Sequence, residues 1–307
     1  MPEFQIHDDA LTPLKDKVVL ITGSTSGIGL ATTKLCLELG AKVIAGDMNP
    51  FPEQFLLQHT RDKEDPKLLF HQTDVTKWSS IRNLFIRGFS HFGRIDHVFA
   101  NAGVGPRSNF LEEHFDEDVG EGGEELLAPP DLRTLNVNLL GVINTVRLGV
   151  YYLRLRENDS ALVSRGIIIT ASASSFQNFS AADYTVAKHG VLGILRGLVN
   201  DLQADTSADG CRPRVRLNAI APSWTATGLV PRDLLAAMGV EVQEPEVVAR
   251  SVVMLCNDER RHGELIYSWG GRYVEINQCE GGLLEGAKKA VPGQVLEEEV
   301  MARLKGR

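Results

Sequence analysis

Eight residues, Thr22-Gly23-Ser24-Thr25-Ser26-Gly27-Ile28-Gly29, constrain the fold of this chain more than any other stretch. The run that leads into them, Lys17-Val18-Val19-Leu20-Ile21-Thr22, is apolar on both faces, as a strand inside a parallel sheet must be. After them Ile28, Ala31, Leu35 and Leu39 recur at helical spacing, and Gly40 is placed to cap that helix. Residues 41–47 read as a second strand, which completes a βαβ unit whose right-handed crossover makes the strands parallel neighbours. Glycines at a strand–helix junction let the chain turn tightly and let a pyrophosphate approach the backbone and the helix N-terminus. A glycine-rich turn can also serve packing alone, but strand–turn–helix context favours the nucleotide. A P-loop is excluded, because no Gly-Lys-Ser/Thr follows.

The alternation continues down the chain. Residues 68–73, 97–101, 166–172, 215–221 and 272–276 read as further strands, and residues 79–92, 131–155, 183–203 and 244–255 as helices. Seven strands alternating with helices predict an α/β fold, a single-domain Rossmann-type doubly wound seven-stranded parallel sheet. Three segments follow: a leader over 1–13, a nucleotide-binding domain over 14–278, and a C-terminal appendage over 279–307 ending in a helix at 294–304. Residues 110–130, FLEEHFDEDVGEGGEELLAPP, form an acidic loop; because it follows the fourth strand, it is expected beside the pocket mouth.

Composition narrows the partners. The net charge of −8, with no long basic block, argues against nucleic acid. No apolar run approaches the roughly 20 residues that span a bilayer. The first 14 residues carry three acids and two prolines, unlike a signal peptide. Cys36, Cys211, Cys256 and Cys279 are scattered without a CxxC pair, which reads as reduced thiols in a cytoplasmic protein with no metal site.

Two places carry chemistry. Asp47 closes the second strand, 18 residues beyond Gly29. A carboxylate there accepts hydrogen bonds from the adenosine ribose and repels a 2′-phosphate, and neither Ser26 nor the positions just after Asp47 supply an arginine, so NAD is expected. The second place is Tyr184-Thr185-Val186-Ala187-Lys188. Hydride transfer at a carbon bearing oxygen needs a proton acceptor or donor on that oxygen, and a free tyrosine, with a pKa of about 10, is a poor base at neutral pH. Lys188 lies one helical turn from Tyr184, where its ammonium and the positive nicotinamide would stabilise a phenolate. On spacing alone the pair would be an ordinary half-exposed helical pair; its place after the 166–172 strand favours catalysis.

Together these residues resemble the short-chain dehydrogenase/reductase family over roughly 14–277, near the branch of 15-hydroxyprostaglandin dehydrogenases and fungal secondary-metabolite dehydrogenases. The TGxxxGIG pattern is Thr22 to Gly29, the NAG motif is Asn101-Ala102-Gly103, the adenine-side pair is Asp74-Val75, and the YxxxK motif is Tyr184 to Lys188. Asn138-Leu139-Leu140-Gly141 is similar to the family's asparagine helix. The resemblance implies NAD contacts from Gly23, Ser26, Gly27, Ile28, Gly29, Asp47, Asp74, Val75, Asn101, Tyr184, Lys188 and Thr227, with Lys188 also on the nicotinamide ribose. It implies catalysis by Asn138, which holds a relay water, by a substrate-orienting Ser172, and by Tyr184 and Lys188. Ser172 stands 12 residues before the tyrosine where the family usually has 13, so Ser174 stays an alternative. Pro222-Ser223 replaces the usual Pro-Gly, and Trp224 is either pocket wall or packing.

The reaction implied is interconversion of a secondary alcohol and a ketone, on a small apolar or polyketide-like substrate, by a homodimer or homotetramer. A non-redox cyclase or dehydratase-like enzyme and an NAD-binding regulatory protein are the competing readings. His189, Cys211 and Cys256 are read as structural, because none has a chemical partner in sequence.

Overall fold

The structure is a computed structural model that describes residues 3–60, 66–108, 110–112, 115–119, 125–155, 165–203, 214–228, 232–293, 295 and 297–305. Its strands are β1 (Glu3–Phe4), β2 (Val18–Thr22), β3 (Lys42–Asp47), β4 (Leu68–Gln72), β5 (His97–Ala100), β6 (Phe115–Val119), β7 (Glu125–Leu127), β8 (Gly166–Thr170), β9 (Arg216–Pro222), β10 (Leu265–Trp269) and β11 (Arg272–Glu275). The helices are α1 (Gly27–Glu38), α2 (Glu53–Thr60), α3 (Trp78–Phe92), α4 (Arg133–Leu135), α5 (Gly141–Leu153), α6 (Ala182–Gln203), α7 (Arg232–Ala237), α8 (Pro245–Asn257), α9 (Leu283–Ala290) and α10 (Glu297–Lys305).

Nine strands form one sheet in the order β1-β11-β10-β9-β8-β5-β2-β3-β4. The seven from β10 to β4 are parallel, as expected of a doubly wound fold. The seventh parallel strand, however, is Leu265–Trp269, not residues 272–276. The expected seventh strand is β11, which turns back on β10 at Gly270-Gly271 and pairs antiparallel with it, Trp269 opposite Arg272. Both glycines have positive φ, 52° and 83°, as a tight hairpin turn requires. The leader joins the sheet too, as Glu3 pairs with Val274 and Phe4 with Tyr273.

Because side chains alternate along a strand, successive residues of each central strand sort to opposite faces. Leu20, Ile44, Val98, Ile167 and Ile169 pack on one face with Leu84 and Phe85 of α3, Val146 of α5, and Val191 and Leu195 of α6. Val19, Ile21, Val43, Phe99 and Ile168 pack on the other with Cys36 of α1 and Val252 and Val253 of α8. Each such side chain, fully buried, stabilises the fold by about 1.5–3 kcal/mol. At the amino ends of β8 and β9, two guanidinium groups close the helices: Arg165 donates to the Leu153 carbonyl at 2.8 Å, and Arg216 to the carbonyls of Leu255 at 2.8 Å and Cys256 at 2.9 Å. These are the orphan carbonyls at the ends of α5 and α8.

Four further expectations need correction. Residues 53–60 form a helix where none was expected; Phe55 and Leu56 pack on the second core cluster beside buried Phe51. The 131–155 helix starts at Arg133 and is interrupted by a π-helical stretch, Asn136–Leu140. Inside the acidic 110–130 segment β6 and β7 pair antiparallel. The appendage carries two helices, α9 and α10, where one was expected. No described helix is long and apolar enough to cross a membrane.

Candidate active site

The carboxyl ends of β2, β3, β4, β5, β8 and β9 all open on one cavity of about 790 Å³, within the usual range for ligand clefts. Strand order reverses between β2 and β5, the place where open α/β sheets bind their ligands. Every residue expected from the sequence to touch cofactor or substrate lines this cavity except Gly29. Among the described residues of 110–130 none does; the wall after β5 is made by Val104, Gly105 and Pro106 instead.

One half of the cavity fits a dinucleotide. Gly23 has φ 65°, and a Cβ there would stand 2.7 Å from the Ala102 Cα. Gly29 is needed for a different reason: a Cβ on it would collide with the Gly23 carbonyl oxygen, so it shapes the turn from beneath. Asn101 holds the turn from the side, its Nδ2 donating to the carbonyls of Thr22 at 3.2 Å and Gly23 at 3.0 Å. Asp47 ends β3 with its carboxylate accepting from the amides of Thr25 at 3.0 Å and Asn49 at 3.1 Å. A carboxylate offers about four acceptor sites, so two remain for ribose hydroxyls. Asp74 accepts from the Thr76 amide and hydroxyl and pairs with Lys77 at 3.4 Å. Burial acts upward on its pKa, but those contacts outweigh it and hold the carboxyl below the usual range. Val75 is buried behind it, and Thr227 approaches Gly27 across the cavity, where a Cβ on Gly27 would stand 2.9 Å from the threonine methyl.

The other half holds the expected catalytic group. The β8 strand stops at Thr170, so Ser172 lies just past it as the N-cap of a short turn over Ala173–Ser175. Its hydroxyl accepts from the Ser174 amide at 3.3 Å and acts on Tyr184, whose pKa it lowers against burial. Ser174 also lines the cavity, but its hydroxyl is buried and has no partner, so Ser172 is the serine that meets the tyrosine. Lys188 is 4% exposed; its Nζ donates to the Thr170 carbonyl at 2.8 Å and lies 5.6 Å from the Tyr184 ring centroid. Burial lowers the Lys188 pKa to about 8. It raises that of Tyr184, against the opposing Ser172 hydrogen bond. This direction is opposite to the one expected from Lys188 alone, because burial screens the phenol from water.

Asn138 falls within the π-helical stretch and is fully buried. Its side chain is taken up by one backbone unit: Oδ1 accepts from the Val104 amide and Nδ2 donates to the Val104 carbonyl, both at 2.8 Å. These two bonds fix the side chain against the loop after β5. Widening a helix by one residue per turn is a device often found at functional sites.

One residue escaped the sequence reading. Asp183, 0% exposed, precedes Tyr184 and accepts from the amides of Arg107 at 2.9 Å, Ser108 at 3.1 Å and Tyr184 at 2.7 Å. It ties the Val104–Pro106 wall to the tyrosine's helix. Nothing local in the sequence signals this, since Arg107 lies 76 positions away. The tempting nucleophiles behave as structural groups. The His189 Nδ1 lies 3.0 Å from the Thr185 carbonyl, and burial pushes the Cys256 thiol up to about 12. Cys211 lies outside the described residues. Among the described residues no three His, Cys, Asp or Glu side chains could hold a metal ion.

The model of the family described as short chain dehydrogenase matches residues 17–234. A short-chain dehydrogenase/reductase of Acremonium egyptiacum, ascJ, is 42% identical over 307 residues, covering 99% of this chain and 96% of the relative. Human 15-hydroxyprostaglandin dehydrogenase (NAD(+)) is 27% identical over 279 residues, covering 81% and 90%. The crystal structure of a 3-ketoacyl-(acyl-carrier-protein) reductase from Brucella melitensis complexed with NADH superposes with a TM-score of 0.62 at 23% identity, covering 84% of this chain and 98% of that one.

Proposed function

Because the chain belongs to the short-chain dehydrogenase family of oxidoreductases, which use a nicotinamide cofactor, we propose that it uses NAD to interconvert a secondary alcohol and a ketone, with Tyr184 as the acid/base. The observation that carries this reading is that Ser172, Tyr184 and the buried Lys188, its Nζ 5.6 Å from the tyrosine ring centroid, line the same cavity as the glycine turn and Asp47. Bound NAD⁺ would supply the acceptor for the hydride that leaves the carbinol carbon. In that direction the Tyr184 oxygen takes the hydroxyl proton of the alcohol as its C–O bond becomes a carbonyl, and Ser172 orients that oxygen. In reverse the Tyr184 hydroxyl returns the proton to the ketone oxygen. Burial works against the phenolate, so Lys188 as ammonium and a cationic nicotinamide have to offset it. The two groups therefore titrate as a pair.

Asp47 supports NAD over NADP. Its carboxylate would repel a 2′-phosphate, and among the described residues lining the cavity Lys188 is the one Lys or Arg, at the opposite half. The human relative just described is also named for NAD(+).

The test is Tyr184→Phe, which removes one oxygen. NADH binding, followed by fluorescence titration, should survive while turnover falls by about 10²–10⁴. Near-normal turnover would overturn the assignment.

A further inference from the structure

Beyond the reacting centre the cavity wall is aromatic. Phe179 precedes α6 and Trp224 follows β9, and their ring centroids stand 6.0 Å apart with planes at 53°. Phe179 also stands 6.0 Å from the Tyr184 ring, at 55°. Three rings thus stand in series, Tyr184, Phe179 and Trp224. Phe179 and Trp224 remain 37% and 38% exposed although both line the cavity. Open apolar surface at a concave wall gains free energy when a ligand covers it, and tilted rings at this spacing leave faces and edges for a third ring to pack on.

The charge around this wall is equally selective. Among the described lining residues only Asp47, Asp74 and Lys188 carry a formal charge. The two acids lie in the nucleotide half, and the Lys188 ammonium is committed to the Thr170 carbonyl beneath the tyrosine. The lining residues next to the two rings in sequence are neutral: Gln177, Asn178, Ser223 and Thr225. A carboxylate or phosphate brought here would lose its hydration with no cation to replace it.

We propose that the substrate is an uncharged carbinol or ketone bearing a planar aromatic or conjugated ring, which packs on the Phe179–Trp224 wall and presents its reacting carbon to Tyr184. The proposal deepens the redox reading above and rests on it. Specificity then belongs to two loops, one after β8 and one after β9, each supplying one ring.

Initial rates with NAD⁺, read from NADH absorbance, test it on matched carbinols: 1-(2-naphthyl)ethanol against 2-octanol, and methyl 4-(1-hydroxyethyl)benzoate against its free acid. The naphthyl carbinol and the ester should each lead in kcat/KM by about tenfold or more. Phe179→Leu and Trp224→Leu should each raise KM for the naphthyl carbinol about two- to tenfold and draw the naphthyl-to-octanol ratio toward one. A preference for octanol or for the free acid, or a ratio that ignores both variants, overturns the proposal. A second measurement silences the chemistry: calorimetry of 2-acetylnaphthalene binding to the Tyr184→Phe protein with NAD⁺, with and without Trp224→Leu. Ring binding that Trp224→Leu weakens, with no turnover of any carbinol or ketone by the wild type, would support the wall and sink the redox reading. Turnover without ring preference would do the reverse.

Discussion

Replacing Asp183 with Ala should unsettle both the fold and the substrate side of the cavity. The carboxylate is fully buried and accepts three backbone amides, from Arg107, Ser108 and Tyr184. Alanine would leave all three donors facing a small void. A buried donor without a partner costs about 1–3 kcal/mol. Some relaxation and water entry will share the loss, so the expected total is about 3–5 kcal/mol, a large part of a typical stability of 5–15 kcal/mol. Asp183→Asn should lose less, since the amide oxygen still accepts while its NH₂ faces donors. Urea unfolding at neutral pH reads the stability, and the split between KM for the alcohol and Kd for NADH reads the function. Freed from Asp183, the Val104–Pro106 wall should raise the alcohol KM about tenfold or more, while NADH affinity holds. Linkage adds a third readout. Burial raises the Asp183 pKa, but hydrogen bonds from Thr134 and from the three amides outweigh it, so the folded value lies below the usual one. Its stabilisation is then present above the unfolded pKa of about 3.9 and disappears as pH falls through the folded value. In acid the wild type should converge on the alanine variant. A variant with wild-type urea midpoint and unchanged alcohol KM would refute the whole chain of reasoning.

Other expectations concern the cofactor half and the lysine. Asp47→Ser should relax discrimination against NADP by about 1–3 kcal/mol, measured as the ratio of kcat/KM for the two cofactors; a wild type that already favours NADP would contradict it. Gly29→Ala should cost about 1–3 kcal/mol of stability and weaken NADH binding, because the new methyl meets the Gly23 carbonyl; an unshifted melting temperature would show that the turn has room. Lys188 has a folded pKa of about 8 against 10.5 for the free side chain. Its burial penalty is full below pH 8 and is relieved as pH rises toward 10.5, so wild type should gain on Lys188→Met over that window by up to about 3 kcal/mol. Denaturation curves at pH 7 and 9.5 measure it, and a gap that is flat with pH would count against the buried ammonium.

What the sequence made legible is what local geometry enforces. Gly23, Gly27 and Gly29 have no alternative at their positions, and the Tyr184–Lys188 spacing fixes a shared helix face, so both motifs could be read without neighbours. Strand identity was legible wherever apolar runs were long, as in Gly166–Thr170. The end of the sheet was not, because Leu265–Trp269 and Arg272–Glu275 are both short, each with polar or charged residues among the apolar ones, and only tertiary pairing decides which lies parallel to β9. The Gly270-Gly271 pair between them is the local signal of the hairpin. Helix α2 hid behind Pro50 and Pro52 and is stabilised by Phe51, Phe55 and Leu56 meeting the core. Asp183 was unreadable for another reason: its role is created by backbone amides 75 and 76 positions distant.

The pairing of β1 with β11 has a consequence for how the chain is made. Phe4 leaves the ribosome 269 residues ahead of its partner Tyr273. At about 5–20 residues per second, that is a wait of roughly 13–54 s. The edge strand therefore cannot close until β11 has emerged, and it is stapled there by Arg250, which donates to the Ile6 carbonyl at 2.6 Å and pairs with Asp8 at 2.8 Å. A segment made early is thus the seal on an edge made late, and a substitution that weakens it, such as Arg250→Ala, should loosen that edge without reaching the cavity.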